Sequence, residues 1–207
     1  SDTAWTLALD SQLIKGSATL PDAKAAPIGI DLLYVRLPAP DPNAAVVENA
    51  PDPLADVDPS KVPAMDIKIT QVFQGEQLVG AWSLKTRPTA TGVRFSDVSM
   101  GLKGLLLQGE GVWEGAPGST SSWYKGRLDG KNLADVLKGW GFAPTVTSED
   151  FELNADGRWP GSPAWVSAKR FSGSLDATLR QGQFVEVEGG ASALRVLPPR
   201  IRRRRSS

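Results

Sequence analysis

Apolar and polar residues alternate along much of this chain. From Phe151 to Trp159 the odd positions are Phe151, Leu153, Ala155, Gly157 and Trp159, and the even positions are Glu152, Asn154, Asp156 and Arg158. Period two predicts a strand with one dry and one wet face. Phe171, Gly173, Leu175, Ala177 and Leu179 alternate in the same way with Ser172, Ser174, Asp176, Thr178 and Arg180, and Leu78, Gly80, Trp82 and Leu84 make a third such run. Turn residues separate the runs at Gly75-Glu76-Gln77, Pro88 to Gly92, Gly115 to Ser119, Gly161-Ser162-Pro163 and Gln181-Gly182. These short spacings predict a mostly β chain, an antiparallel meander of hairpins. One stretch breaks the pattern. Leu133, Val136, Leu137 and Trp140 stand at i, i+3, i+4 and i+7. They predict a short amphipathic helix over 132–140, with Asn132 as its N-cap and Gly139 or Gly141 at its exit.

The pattern also repeats. Leu107-Gln-Gly-Glu-Gly-Val-Trp113-Glu-Gly115-Ala-Pro117 aligns with Leu153-Asn-Ala-Asp-Gly-Arg-Trp159-Pro-Gly161-Ser-Pro163 at an offset of 46 residues. Gly126-Arg-Leu128-Asp129 aligns with Gly173-Ser-Leu175-Asp176 at an offset of 47. A strand ending in Trp, a Gly/Pro turn and a returning strand therefore occur twice. Residues 38–63 are different, with Pro38, Pro40, Pro42, Pro51, Pro53, Pro59 and Pro63 among Ala, Asp and Asn. Such a stretch neither donates to nor packs into a sheet, and predicts a long exposed loop or linker. The expected organisation is an N-terminal strand group (1–37), the proline-rich segment (38–63), a main repeated sheet (64–194) and an Arg-rich tail (195–207).

Charge and residue usage narrow the chemistry. The formal net charge is zero, but six arginines without an acid lie in 195–207, leaving 17 of the 23 basic groups against all 23 acids, a net of −6, for 1–194. An acidic body argues against nucleic acid as a partner. The tail arginines suit anionic lipid or nucleic acid on charge alone, but the preferred expectation is an unstructured or non-native terminus. The chain has no Cys and no His. A Ser–His–acid triad, a Cys–His pair and a histidine zinc site are therefore excluded. Glu149, Asp150 and Glu152 fall on a turn and a wet strand face. Asp52, Asp56 and Asp58 lack the glycine and distal glutamate of a calcium loop; both groups are expected in solvent. Gly139-Trp140-Gly141 follows a helix rather than opening one, so it is no phosphate loop. The expectation is a non-enzyme without cofactor or metal. Seven tryptophans (Trp5, Trp82, Trp113, Trp123, Trp140, Trp159 and Trp165) suit either sugar, lipid or protein contacts or a dry interior. The parity of Trp113 and Trp159 favours the dry face. Residues 1–20 show no basic-then-apolar leader, and no apolar run is long enough to cross a bilayer, so any export or anchoring signal is expected outside these residues.

Several stretches resemble one family. Trp123-Tyr-Lys-Gly-Arg-Leu-Asp129, then Leu133-Ala-Asp-Val-Leu-Lys-Gly-Trp-Gly-Phe-Ala-Pro144, then Leu153-Asn-Ala-Asp-Gly-Arg-Trp-Pro-Gly-Ser-Pro163 are similar to the C-terminal part of YhdP-type proteins of the AsmA-like group, which includes TamB. Phe171 to Leu194, Trp5-Thr-Leu-Ala-Leu9 with Gly16 and Leu20-Pro21, and the Leu78-to-Trp113 strands resemble the same family, so the similarity covers most of 1–194. The chain thus looks like a fragment of such a protein, and the break after Leu194 is expected from a shifted reading frame or a truncated product. The resemblance implies a Gram-negative envelope protein, anchored in the inner membrane by a segment absent here. Its sheet curls into an open, apolar-lined groove in the periplasm that carries phospholipid towards the outer membrane. The implied partners are phospholipid acyl chains, with outer-membrane or periplasmic proteins as further candidates. The expected lining is Leu78, Trp82, Leu84, Val93, Phe95, Leu105, Leu107, Trp113, Phe151, Leu153, Trp159, Leu175 and Leu179. Two other readings stand beside it: a structural or assembly module that binds proteins through strand edges, and a secreted carbohydrate-binding β domain using surface tryptophans.

Overall fold

The computed structural model describes residues 4–23, 26–39, 50–135, 146–167, 169–180 and 183–184. The alternating runs form strands. These are β1 (Ala4–Asp10), β2 (Ile14–Pro21), β3 (Ile28–Leu37), β4 (Met65–Gln74), β5 (Gln77–Pro88), β6 (Gly92–Leu102), β7 (Leu105–Ala116), β8 (Ser119–Lys131), β9 (Val146–Thr147), β10 (Asp150–Pro160), β11 (Ser172–Arg180) and β12 (Gln183–Phe184). Ten of them make one open sheet in the order β1-β2-β3-β4-β5-β6-β7-β8-β10-β11, and β9 pairs with β12 apart from it. Every predicted turn within the described residues joins neighbouring strands; Gln181-Gly182 lies outside them.

One pairing departs from a pure antiparallel meander. β3 and β4 run parallel, from Ile28 opposite Met65 to Leu37 opposite Gln74. Parallel neighbours need a long crossover to bring the chain back to its starting end, and the proline-rich segment is that crossover. It does not separate two sheets, because β3 hydrogen-bonds β4 along nearly its whole length. Its second half is largely exposed, as expected, but it is docked: residues 50–63 lie across the sheet, with Pro59 buried against β6 and β7.

Bulges bend the sheet. Register shifts occur at Lys15/Gly16, Ile69 to Phe73, Ser83/Lys85 and Phe95/Val98. Each extra residue sharpens the local right-handed twist, which curls a wide sheet. At one bulge Asp97 takes φ 51°, and its carboxylate meets the Lys85 ammonium at 2.7 Å. Of the predicted helix, Leu133–Asp135 form a helical turn, and 136–140 lie outside the described residues. Asn132 precedes that turn at φ 50°, a left-handed conformation rather than the extended one of an ordinary N-cap, and its side chain donates to the Asp135 carboxylate. The Arg-rich tail also lies outside the described residues.

Candidate apolar groove

Alternation sorts the sheet into two unlike faces. One carries a ladder of ion pairs: Arg87–Asp66 (2.6 Å), Lys85–Asp97, Arg94–Glu110 (3.4 Å), Lys125–Asp156 (3.2 Å) and Arg127 with Asp129 and Glu152. The other is apolar from edge to edge. Strand register places Leu9, Gly16, Leu32, Ile69, Trp82, Met100, Leu107, Leu128, Leu153 and Ala177 in a single row crossing all ten strands. A sheet with one dry face ordinarily buries it under a second layer. Here that face stays partly open: Trp5 is 74% exposed, Leu7 54%, Leu78 53% and Leu175 61%.

Parallel rows flank the first. Leu102, Leu105, Gly130, Phe151 and Leu179 form one bank, and Pro88, Val93, Trp113, Ser122 and Trp159 form the other. Between the Leu107 row and the Trp113 row most positions are small (Gly109, Gly126 and Ala155, then Gly111, Gly157 and Gly173), with Val98, Phe95 and Tyr124 among them. The repeated motif now has a shape. Leu107-x-Gly109-x-Gly111-x-Trp113 and Leu153-x-Ala155-x-Gly157-x-Trp159 are both large-small-small-large on one face, and β8 holds them in step, with Leu128 between the leucines and Ser122 between the tryptophans. Missing side chains leave a trough crossing the strands. The shorter match is not in step. Gly126 stands opposite Gly109 and Gly173 opposite Gly157, a slip of two residues that keeps each side chain on its face.

Rings lie flat in this trough. A Cβ on Gly157 would come within 2.2 Å of the Phe171 ring, and one on Gly126 within 2.2 Å of the Tyr124 hydroxyl. Phe171 stacks on Trp159, with centroids 6.3 Å apart and planes 26° apart. Tyr124 donates to the Gln108 carbonyl at 2.8 Å, and burial pushes its phenol pKa up to about 12. The remaining space is a cavity of about 420 Å³ walled by Leu84, Phe95, Val98, Met100, Leu107, Tyr124 and Trp159 below and by Pro163, Val166 and Phe171 above.

The crossover strap closes the Trp113 bank. From Ala50 to Pro63 it passes β10, β8, β7 and β6 in turn and ends at β5, where Thr86 Oγ1 donates to the Pro63 carbonyl at 2.7 Å. Beneath it Val93 is fully buried, Trp113 3% exposed and Trp159 7%. Asp52 is its main fastening, accepting from Ser162 N–H at 2.7 Å, Ser162 Oγ at 2.6 Å and Leu54 N–H at 2.9 Å. Burial pushes the Asp52 carboxyl pKa up, but these donors and the Arg170 charge outweigh it and hold the group below its ordinary value. The sequence-based expectation of a solvated Asp52 is therefore corrected: its charge is spent on a contact 110 residues away. The Trp165 indole donates to the Ala50 carbonyl at 2.7 Å, and the Arg170 guanidinium lies 3.8 Å from the Trp165 ring centre. Trp159 donates to the Ser162 carbonyl at 2.9 Å, while Trp113, its counterpart, is buried without a protein acceptor.

The thirteen residues expected to line a groove share this face. Trp82, Leu107 and Leu153 stand in the ten-strand row, Leu105, Phe151 and Leu179 in one bank, and Val93, Trp113 and Trp159 in the other. Phe95 and Leu175 flank the trough, Leu84 pairs with Ile67, and Leu78 sits beyond the β5–β6 pairing opposite Phe73. Sequence reasoning passed over Ile30, Leu32, Ile67, Ile69, Val98 and Met100, although the same alternation carries them. It also passed over the glycine floor, whose signal was the motif itself.

Comparison with known protein families matches residues 1–198 to the family described as YhdP protein. The match runs past Leu194 into the arginine-rich end. No curated protein and no solved structure matches the chain. With nearly the whole chain matched, the chain belongs to the YhdP family of AsmA-like envelope proteins.

Proposed function

We propose that this chain is a segment of a periplasmic conduit, anchored in the inner membrane by another part of its protein, that carries phospholipid towards the outer membrane. The observation that carries this reading is the apolar row unbroken across ten strands on a face that, among the described residues, no full second layer covers. Acyl chains complete such a face, each buried methylene contributing about 0.8 kcal/mol. The phosphate head group stays in water at the open side. No nucleophile or base takes part, since the work is partitioning and sliding; we read the chain as non-catalytic. Trp113 and Trp159 lie in the dry bank and so give no support to the carbohydrate-binding alternative.

The test is photo-crosslinking in cells from position 107 or 153, followed by a search for attached phospholipid. Lipid adducts are expected there and absent from polar-face positions such as 125. Adducts to protein alone, with the polar-face control behaving the same way, would sink the reading.

A further inference from the structure

Alternation leaves one large ring on the charged side of the sheet. Trp5, Trp82, Trp113 and Trp159 all stand on the apolar face, whereas Trp123, one position out of step with Ser122 and Tyr124, stands among the ion pairs. Register sets Val112 and Arg158 directly beside it on β7 and β10, with Lys125 and Asp156 in the next row. Its indole N–H donates to the Asp156 carboxylate at 2.9 Å. That bond reaches diagonally from β8 to β10, so the half-buried ring leans over the sheet rather than standing off it.

The groups around the ring are fixed and of both signs. The Trp123 and Lys125 hydrogen bonds hold the Asp156 carboxyl pKa below its ordinary value, so it stays an acceptor. On the Val112 side Arg94 pairs with Glu110. Arg158, exposed, has no carboxylate within ion-pair distance among the described residues, although the Asp156 charge acts across to it. Beyond it the side chains of β11 are small and exposed, Ser172 and Ser174, which leaves the patch open on that side among the described residues. A polyanion brought here would meet Asp156 and Glu110, and an acyl chain would strip water from charges without replacing it. A pyranose suits the place better. It offers an apolar C–H face to the indole and, around that face, hydroxyls that both donate and accept.

We propose that Trp123, Asp156 and Arg158 form a saccharide-binding platform on the face opposite the apolar row, Trp123 stacking one pyranose of a neutral glycan while Asp156 and Arg158 take its hydroxyls. The platform stands apart from the acyl-carrying reading and does not depend on it. The test is an NMR titration of the full chain with two probes, a neutral N-acetylglucosamine tetramer and a heparin tetrasaccharide. The neutral glycan should shift the amide signals of residues 121–125 and 156–158 saturably and leave those of β1 to β3 in place. Trp123→Ala should abolish the shifts, Trp123→Phe should keep part of them, and Arg158→Ala should weaken the apparent affinity several-fold. No saturable shift in the parent, or shifts undiminished in Trp123→Ala and Arg158→Ala, would overturn the platform. A response to the heparin fragment alone would overturn it as well, by making the patch an anion site. Should Trp123→Ala fail to fold, Arg158→Ala, a change at an exposed side chain, decides the matter.

Discussion

Asp52 brings two opposed effects onto one carboxylate: partial burial disfavours its charge, and three donors favour it. The donors win, so the folded pKa lies below the ordinary 3.8. A group with a depressed folded pKa stabilises the fold fully above its unfolded value and loses that contribution as pH falls through the folded value. Amide protection factors in residues 50–63, with the intrinsic pH dependence of exchange divided out, should therefore stay flat from neutrality down to the ordinary carboxylate range and fall only below it. Protection lost on going from neutral pH to about pH 5 would contradict the assignment. Replacing Asp52 by Ala leaves the buried Ser162 N–H without its acceptor, and should lower stability by about 1.5–3 kcal/mol in a denaturant titration. At Tyr124 the ring and the hydroxyl have separable roles. Tyr124→Phe keeps the ring over Gly126 and loses only the bond to Gln108, a cost of about 0.5–1.5 kcal/mol. In a Tyr34→Phe background, ultraviolet titration should show the remaining phenol ionising near its raised pKa of about 12.

The β10–β11 pair is the element whose packing is most open to test. Gly157 has no room for a Cβ because Phe171 occupies that place. Gly157→Ala should cost about 1–3 kcal/mol through the clash. The same substitution made on Phe171→Ala should cost much less, since the obstructing ring is gone, and a double-mutant cycle measures the difference as coupling. Additive costs would mean that the backbone, not the ring, excludes the methyl. Elements also mark how far the sequence could be read. β5, β10 and β11 were legible because apolar and polar side chains alternate along each, which period two records directly. The parallel β3–β4 pairing was not legible. Alternation is the same for either strand direction, and the proline-rich crossover carries no periodicity to show where it lies. The Asp52–Ser162 contact was hidden for a related reason: nothing at Asp52 distinguishes a carboxylate in solvent from one meeting a serine hydroxyl far along the chain. The groove lining fared better at Leu107 and Leu153 than at Gly109 and Gly157, because absent side chains make a space only once β8 sets the two motifs side by side.

Across the whole molecule the sheet separates charge from oil. Ion pairs cover one face and the ten-strand row crosses the other. A folded protein with such a face should bind an environment-sensitive apolar dye in its native state. Leu107→Glu with Leu153→Glu should cut that binding several-fold, while Lys125→Glu on the opposite face should leave it unchanged. Equal losses from the two faces would show the dye responding to unfolding rather than to the row.

The strap has a further consequence, for the order in which the molecule assembles. A ribosome delivers Asp52 long before Ser162, and the two are 110 residues apart. Strands β1 to β3 are made before the strap, and the strap cannot dock until β5 to β8 and β10 exist beneath it. Chains normally acquire structure in the order of synthesis, but here an early segment is among the last to settle. Until then the row under Val93 and Trp113 is bare, and nascent chains halted before β10 would be the ones most in need of a chaperone.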